Sequence, residues 1–352
     1  MKMNELGRTG IKVSELCLGS MTWGTQNSEA EGCEQIDYAL DQGINFIDTA
    51  EMYPTTPLSE ETQGDTERVI GAWIAKNKAR RPDVVLATKV CGAGYQRIRN
   101  GAPISPDTIQ TALDTSLKSM QTDYVDLYQL HWPNRGSYAF RQLWTFDPSA
   151  QDTAQTLEHM EEVLDALAQH VKSGKIRSIG LSNESAWGTA NWLRIAEEKG
   201  LPRVASVQNE YSLLCRYFDL DMSELCHHED VGLLSFSPLA CGLLTGKYIG
   251  CEGDHRPSGS RADVSNASLG GRWNNKTHRA IDAYAAIAKK HNVDLTQMAL
   301  SWCLTRPFMA SVIFGATTMD QLKIAIGSAE LQLSEDIMAD ILSVYKDYPI
   351  PY

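Results

Sequence analysis

The sequence predicts an α/β protein, a (β/α)8 TIM barrel with an N-terminal capping hairpin and an extra C-terminal helix. Three observations predict it. Eight short apolar runs alternate with helical stretches, as βα units on a parallel sheet do. Six consecutive runs end in a polar group, on the rim where barrel enzymes place their chemistry. The 352 residues suit one such barrel, so residues 1–352 are read as a single domain.

The predicted strands are 16–20, 45–50, 84–90, 124–132, 176–183, 204–210, 233–238 and 311–317. Helices are expected over 29–43, 65–76, 105–120, 153–173, 185–199, 219–229, 277–304 and 318–328. Ser105-Pro106-Asp107 makes a good helix start, with a capping Ser, Pro at the first position and an acid in the first turn. Lys172-Ser173-Gly174-Lys175 makes a good stop, because Gly accepts the left-handed cap. Gly7-Arg8-Thr9-Gly10 signals a hairpin ahead of the barrel, expected to cap its N-terminal end, and residues 334–346 read as the extra helix. Connections 133–152 and 248–276 are long and follow strands, which places both on the active face.

Composition narrows the function. Hydrophobic residues are 43% of the chain, enough for a large core. The net charge of −12 disfavours nucleic acid and anionic lipid as partners. No apolar run of spanning length occurs, so no membrane partner is expected. The cysteines at 17, 33, 91, 215, 226, 241, 251 and 303 are scattered without a C-x-x-C, which favours reduced thiols, no metal site and a cytoplasmic setting. His227-His228 lacks ligand spacing.

The strand ends carry the chemistry. Asp48, Lys89, His131, Asn183, Gln208 and Ser237 end successive runs, and Tyr53 follows Asp48 in the next loop. Alone, an Asp there caps a helix and a His packs in a core. Together they bring an acid, an ammonium, a phenol and an imidazole to one rim. An ammonium beside a phenol stabilises phenolate and lowers a pKa that is otherwise near 10. Asp48 would hold Lys89 charged, and Tyr53 could then protonate a carbonyl oxygen that His131 orients.

Several segments resemble the aldo-keto reductase superfamily. They are Gly19-Ser20-Met21-Thr22-Trp23-Gly24, the run from Asn45 to Tyr53, Lys89, His131-Trp132-Pro133, Gly174-Lys175-Ile176-Arg177, Ile179-Gly180-Leu181-Ser182-Asn183 and Gln208-Asn209-Glu210-Tyr211-Ser212-Leu213-Leu214. Ala50-Glu51-Met52-Tyr53-Pro54 with Glu61-Thr62-Gln63-Gly64 looks like its bacterial NADP(H)-dependent branch, which is similar to the voltage-gated potassium channel β-subunits. The resemblance implies a catalytic tetrad of Asp48, Tyr53, Lys89 and His131, with Tyr53 as proton donor. It implies NADPH/NADP+ as cofactor, its carboxamide on Ser182, Asn183 and Gln208 and its ring stacked on Tyr211. The pyrophosphate would lie along Ser235-Phe236-Ser237-Pro238-Leu239-Ala240-Cys241-Gly242-Leu243-Leu244-Thr245-Gly246-Lys247. The adenosine 2′-phosphate and adenine would lie by Gly315, Thr317 and Gln321. Ile324 and Ala325 depart from the family's acid or Asn beside the adenine, and Arg256, Arg261 and Arg272 are the candidate guanidiniums for the 2′-phosphate.

Met21, Trp23 and Trp132 are expected to line the substrate mouth. The loop carrying Tyr138, Phe140 and Trp144 suits an apolar or aromatic carbonyl. The reading is therefore NADPH-dependent reduction of a small aldehyde or ketone by a monomer or homo-oligomer. The alternatives are a nicotinamide-binding regulatory scaffold with little turnover and a phosphosugar-type barrel enzyme.

Overall fold

The computed structural model describes residues 1–251, 255–265 and 267–352, so part of the second long connection lies outside the described residues. Two short strands, β1 (Met3–Glu5) and β2 (Lys12–Ser14), pair antiparallel as the expected hairpin. The barrel strands are β3 (Leu16–Gly19), β4 (Phe46–Asp48), β5 (Val85–Val90), β6 (Val125–Leu130), β7 (Ile176–Ser182), β8 (Val204–Glu210), β9 (Gly232–Phe236) and β10 (Met309–Phe314). They close in the order β10-β3-β4-β5-β6-β7-β8-β9, every pair parallel. The helices are α1 (Glu29–Asp41), α2 (Asp65–Lys76), α3 (Pro106–Met120), α4 (Thr153–Lys172), α5 (Ala186–Lys199), α6 (Asp221–Glu229), α7 (Arg261–Val264), α8 (Asn275–Lys290), α9 (Leu295–Leu304), α10 (Met319–Ile326) and α11 (Glu335–Asp347).

Local chemistry sets these boundaries. Ser28 and Glu31 form a reciprocal capping box at the start of α1, and Ser105 caps α3 with Pro106 at its first position. The continuous helix expected over 277–304 is two helices. Asn292 takes a left-handed φ of 52°, and the Asp294 carboxylate then accepts from the Gln297 N–H to start α9. A capping acid inside an apolar periodicity outweighs the periodicity.

Side-chain alternation along the strands divides the core. Leu16, Leu18, Ile47, Leu86, Tyr128, Ile179 and Leu181 face outward under the helices. Cys17, Phe46, Val85, Ala87, Leu127, Leu234 and Ala310 face inward and fill the lower barrel. Leu6, Ile11 and Val13 of the hairpin join that inner cluster and plug the N-terminal end. The hairpin turn fits only without a side chain at Gly7. Its φ is +55°, and a Cβ there would stand 2.6 Å from the Ala205 carbonyl oxygen. No helix among the described residues is long and apolar enough to cross a membrane.

A buried acid without a cationic partner among the described residues stands with the outward-facing groups. Thr88 points out of β5 and donates to Glu67 of α2 at 2.6 Å, and Glu67 is 1% exposed. Burial pushes its carboxyl up to about 7. The unfolded chain releases this proton near the ordinary carboxylate range, whereas the folded chain keeps it until about 7. Stability is therefore lost as pH rises between those values. Glu67→Gln is expected to flatten that slope and to exceed the parent stability at pH 8 by about 1 kcal/mol or more, read from urea unfolding across pH.

Candidate active site

Strand alternation also places the site. The inward positions that begin with Phe46, Val85 and Leu127 continue upward as Asp48, Lys89 and then Gln129, with His131 just past the end of β6. Lys89 is fully buried, and an ammonium there needs local compensation. Its Nζ donates to Asp48 Oδ2 and to the Thr49 carbonyl oxygen, both at 2.6 Å. Asp48 Oδ1 accepts from Gln208 Nε2 at 2.8 Å and from Gln129 Nε2 at 3.1 Å. Burial opposes the charge on Lys89, but Asp48 outweighs it and the ammonium is held above its ordinary pKa.

Tyr53 arrives on the loop after β4, held by its N–H on the Ala50 carbonyl and by its own carbonyl, which accepts from Gly64 N–H. Glu51 pins this loop. Its carboxylate takes both guanidinium nitrogens of Arg99, at 2.6 and 2.7 Å, and the Cys91 N–H at 2.6 Å. Lys89 Nζ lies 4.9 Å from the Tyr53 ring centre, and the His131 ring meets Tyr53 edge-on at 5.9 Å. The four expected residues therefore converge. The expected net lowering of the Tyr53 pKa does not hold: burial raises it, and Lys89 only moderates the rise. Burial also drives the His131 imidazole well below its ordinary value, with Lys89 adding to the shift. The imidazole is thus neutral at pH 7, and its Nδ1 is buried without a hydrogen-bond partner.

The carboxamide candidates lie beside this cluster. Asn183 Nδ2 donates to the His131 carbonyl at 2.9 Å and to Ser182 Oγ at 3.1 Å, while Ser182 Oγ donates to the Gln208 carbonyl at 2.8 Å. Gln208 spends its Nε2 on Asp48 and Gln129. Tyr211 corrects the expectation for the ring. It is fully buried, stacked on Trp302 at 5.4 Å and 13°, with its hydroxyl donated to Asp219 at 2.6 Å. No face is left for a nicotinamide. The aromatic at the rim is Phe236, half-buried and two residues beyond the inward-facing Leu234.

The segment expected to hold pyrophosphate is a turning strap, with positive φ at Ser237, Ala240, Cys241, Gly242 and Gly246. Such turns aim backbone N–H groups at one point. Ala240, Leu243 and Leu244 bury their side chains in the core, so they offer only backbone, whereas Cys241 and Thr245 stay half-buried. Lys247 and Arg261 have no acidic partner among the described residues. Lost hydration and the neighbouring Arg261 both hold the Lys247 ammonium below its ordinary value. Two cations facing each other without an acid, above a strap of backbone donors, fit a dinucleotide phosphate. In the eighth unit, Gln321 Oε1 accepts from the N–H and hydroxyl of Thr317 at 3.0 and 3.1 Å, and Gly315 is exposed next to them. Arg272 is removed from the 2′-phosphate candidates: it is 3% exposed and committed to Glu210 at 2.5 Å. Arg256 stacks on Trp273 at 3.6 Å.

At the mouth, Met21 and Trp132 are half-buried, with Trp132 Nε1 fixed on the Ala93 carbonyl. Trp23 is corrected to a core residue. It is fully buried, and its Nε1 donates to Gln35 at 3.0 Å. Sequence reasoning missed Gln129, Glu51 and Arg99. The alternation Leu127, Gln129, His131 marks the first, whereas no local pattern joins Glu51 to Arg99 48 residues away.

A closed parallel barrel with its polar chemistry gathered on the C-terminal rim is an enzyme barrel. Residues 15–346 match the model of the Aldo/keto reductase family, and the chain belongs to that family of oxidoreductases. It is 43% identical to the protein named tas of Escherichia coli, over 100% of this chain and 99% of that one. It is 32% identical to the Bacillus subtilis uncharacterized oxidoreductase YrpG, covering 98% and 96%. It is 29% identical to a putative voltage-gated potassium channel subunit beta of Schizosaccharomyces pombe, covering 98% and 93%.

The buried pair makes a stability prediction. Asp48→Asn leaves the Lys89 ammonium without its counter-charge and should cost about 3–5 kcal/mol in urea unfolding. The double variant with Lys89→Met should recover much of that loss.

Proposed function

We propose that this protein reduces an aldehyde or ketone to the alcohol with NADPH, using Tyr53 as the proton donor. The observation that carries the reading is Lys89, buried on Asp48 with its charge under the Tyr53 ring. When bound, the reduced nicotinamide supplies the hydride for the carbonyl carbon. Asn183, Ser182 and Gln208 would hold its carboxamide, Phe236 would cover its ring, and the strap with Lys247 and Arg261 would hold its phosphates. The preference for the 2′-phosphate rests on the family resemblance.

The residues of the chain do the rest. Neutral His131 donates a hydrogen bond to the substrate oxygen and orients it. As the carbon–oxygen double bond becomes single, Tyr53 transfers its hydroxyl proton to that oxygen. Lys89 balances the negative charge left on the phenolate, and Asp48, fixed by Gln129 and Gln208, keeps Lys89 charged and in place. Water then returns a proton to Tyr53. The raised phenol pKa favours this direction, because the donor stays protonated at neutral pH. The eight unpaired cysteines support a reducing, cytoplasmic setting.

The similarity to a putative channel β-subunit supports a second reading, a nicotinamide-binding scaffold with little turnover. NADPH consumption with a panel of aldehydes separates the two. Tyr53→Phe is expected to lower kcat by about 10²–10⁴-fold with NADPH affinity retained. Tight NADPH binding without turnover of any carbonyl selects the scaffold, and absence of binding overturns both readings. Reduction needs protonated Tyr53 and neutral His131. The rate should therefore be level through neutral pH and show no limb near 6.5, falling in acid only well below 6.5 as His131 protonates and in alkali as pH climbs past the ordinary phenol range of about 10.

A further inference from the structure

Glu210 ends β8 at the point where the two long connections meet. Arg272, from the second, donates to its Oε1 through Nε at 3.1 Å and Nη2 at 2.5 Å, and Tyr352 donates to the same oxygen at 2.9 Å. Arg141, from the first, stands 3.7 Å from Oε2, a charge contact too long for a hydrogen bond. Among the described residues, two guanidiniums thus share one carboxylate, and one positive charge is left over.

The surplus is held in place. Arg141 is in a left-handed turn with φ 65°, and a Cβ on Gly270 would lie 2.6 Å from its Nη2, so the guanidinium packs flat on that glycine. Its side chain is 25% exposed and makes no hydrogen bond to any of the described residues. A small cavity of about 30 Å³ opens beside it, lined also by Asn183, Glu210 and Tyr217. That volume takes about two water-sized groups, the two oxygens of a carboxylate. The Tyr217 hydroxyl is buried there without a hydrogen-bond partner, and burial keeps it protonated. A planar fork of donors and a phenolic donor line one space, and the carboxylate in its wall, Glu210, accepts its hydrogen bonds from Arg272 and Tyr352 and from neither of them.

The position ties this space to the substrate. Phe140, next to Arg141, meets Trp132 edge-on at 6.0 Å, and Trp132 lies 4.8 Å from His131. The pyrophosphate strap already has its own cations in Lys247 and Arg261. We infer that Arg141 and Tyr217 form a receptor for a carboxylate on the carbonyl substrate, so that the preferred substrates are oxo acids whose apolar middle crosses the Trp132–Phe140 wall.

The inference rests on the carbonyl-reductase reading, and its test separates the two. Steady-state reduction of 4-carboxybenzaldehyde and of benzaldehyde is compared in the parent protein, Arg141→Met and Tyr217→Phe, with NADPH affinity measured by fluorescence titration. The parent should favour the carboxylated aldehyde. Arg141→Met should raise its KM about tenfold or more and Tyr217→Phe several-fold, with benzaldehyde and NADPH affinity unchanged. Equal losses on both aldehydes, a loss in NADPH affinity instead, or no preference in the parent would overturn it. If neither aldehyde turns over, the panel of aldehydes above decides the reductase reading, and binding of 4-(hydroxymethyl)benzoate to the NADP+-loaded protein decides the receptor. Affinity that is lost in Arg141→Met supports it, and equal affinity in parent and variant overturns it.

Discussion

The structure is organised around one buried charge. Lys89 has no access to water, and its ammonium is stable there because Asp48 and the Thr49 carbonyl replace hydration at 2.6 Å. Asp48 needs its own remaining lone pairs satisfied, and the amides of Gln129 and Gln208 do that. Those groups come from β4, β5, β6 and β8, strands that meet across the interior only when the ring is closed. Barrel closure and the charge state of the site are therefore one event. A chain that fails to bring β8 round leaves Asp48 short of a donor and Lys89 poorly compensated.

The same alternation explains what could be read beforehand. The strand ends Asp48, Lys89 and His131 stand in columns above Phe46, Val85 and Leu127, and apolar runs ending in polar residues reveal such columns. Parity also explains the misreadings. Tyr211 sits one residue beyond β8 and points out to Trp302 rather than in, and Trp23 lies in a loop that dives under α1 to reach Gln35. A motif gives residue order but not the side toward which a residue turns once the strand has ended. The break between α8 and α9 was marked by Asp294, a capping acid hidden in an otherwise helical periodicity. The links Glu51–Arg99 and Glu210–Arg272 join distant segments and have no local signature.

The two long connections are fastened by ion pairs at strand ends. Arg135 of the first pairs with buried Glu184 beyond β7, and Ser137 donates to the Asn183 carbonyl at 2.7 Å. Arg272 of the second pairs with Glu210 beyond β8. The loops that shape the mouth are thus anchored beside Asn183 and the end of β8. The first of them bears directly on Asn183, whose amide reaches the His131 backbone.

The hairpin plug has a consequence for traffic. With Leu6, Ile11 and Val13 packed into the lower barrel, the interior has one working opening. Everything that reaches Tyr53 arrives and departs through the rim, past the same aromatic walls. On the proposed reading, a cofactor and a substrate sharing a single doorway would queue: the one seated deeper enters first and leaves last. An order of binding would then be a matter of architecture, imposed by three apolar side chains at the far end of the barrel from the rim.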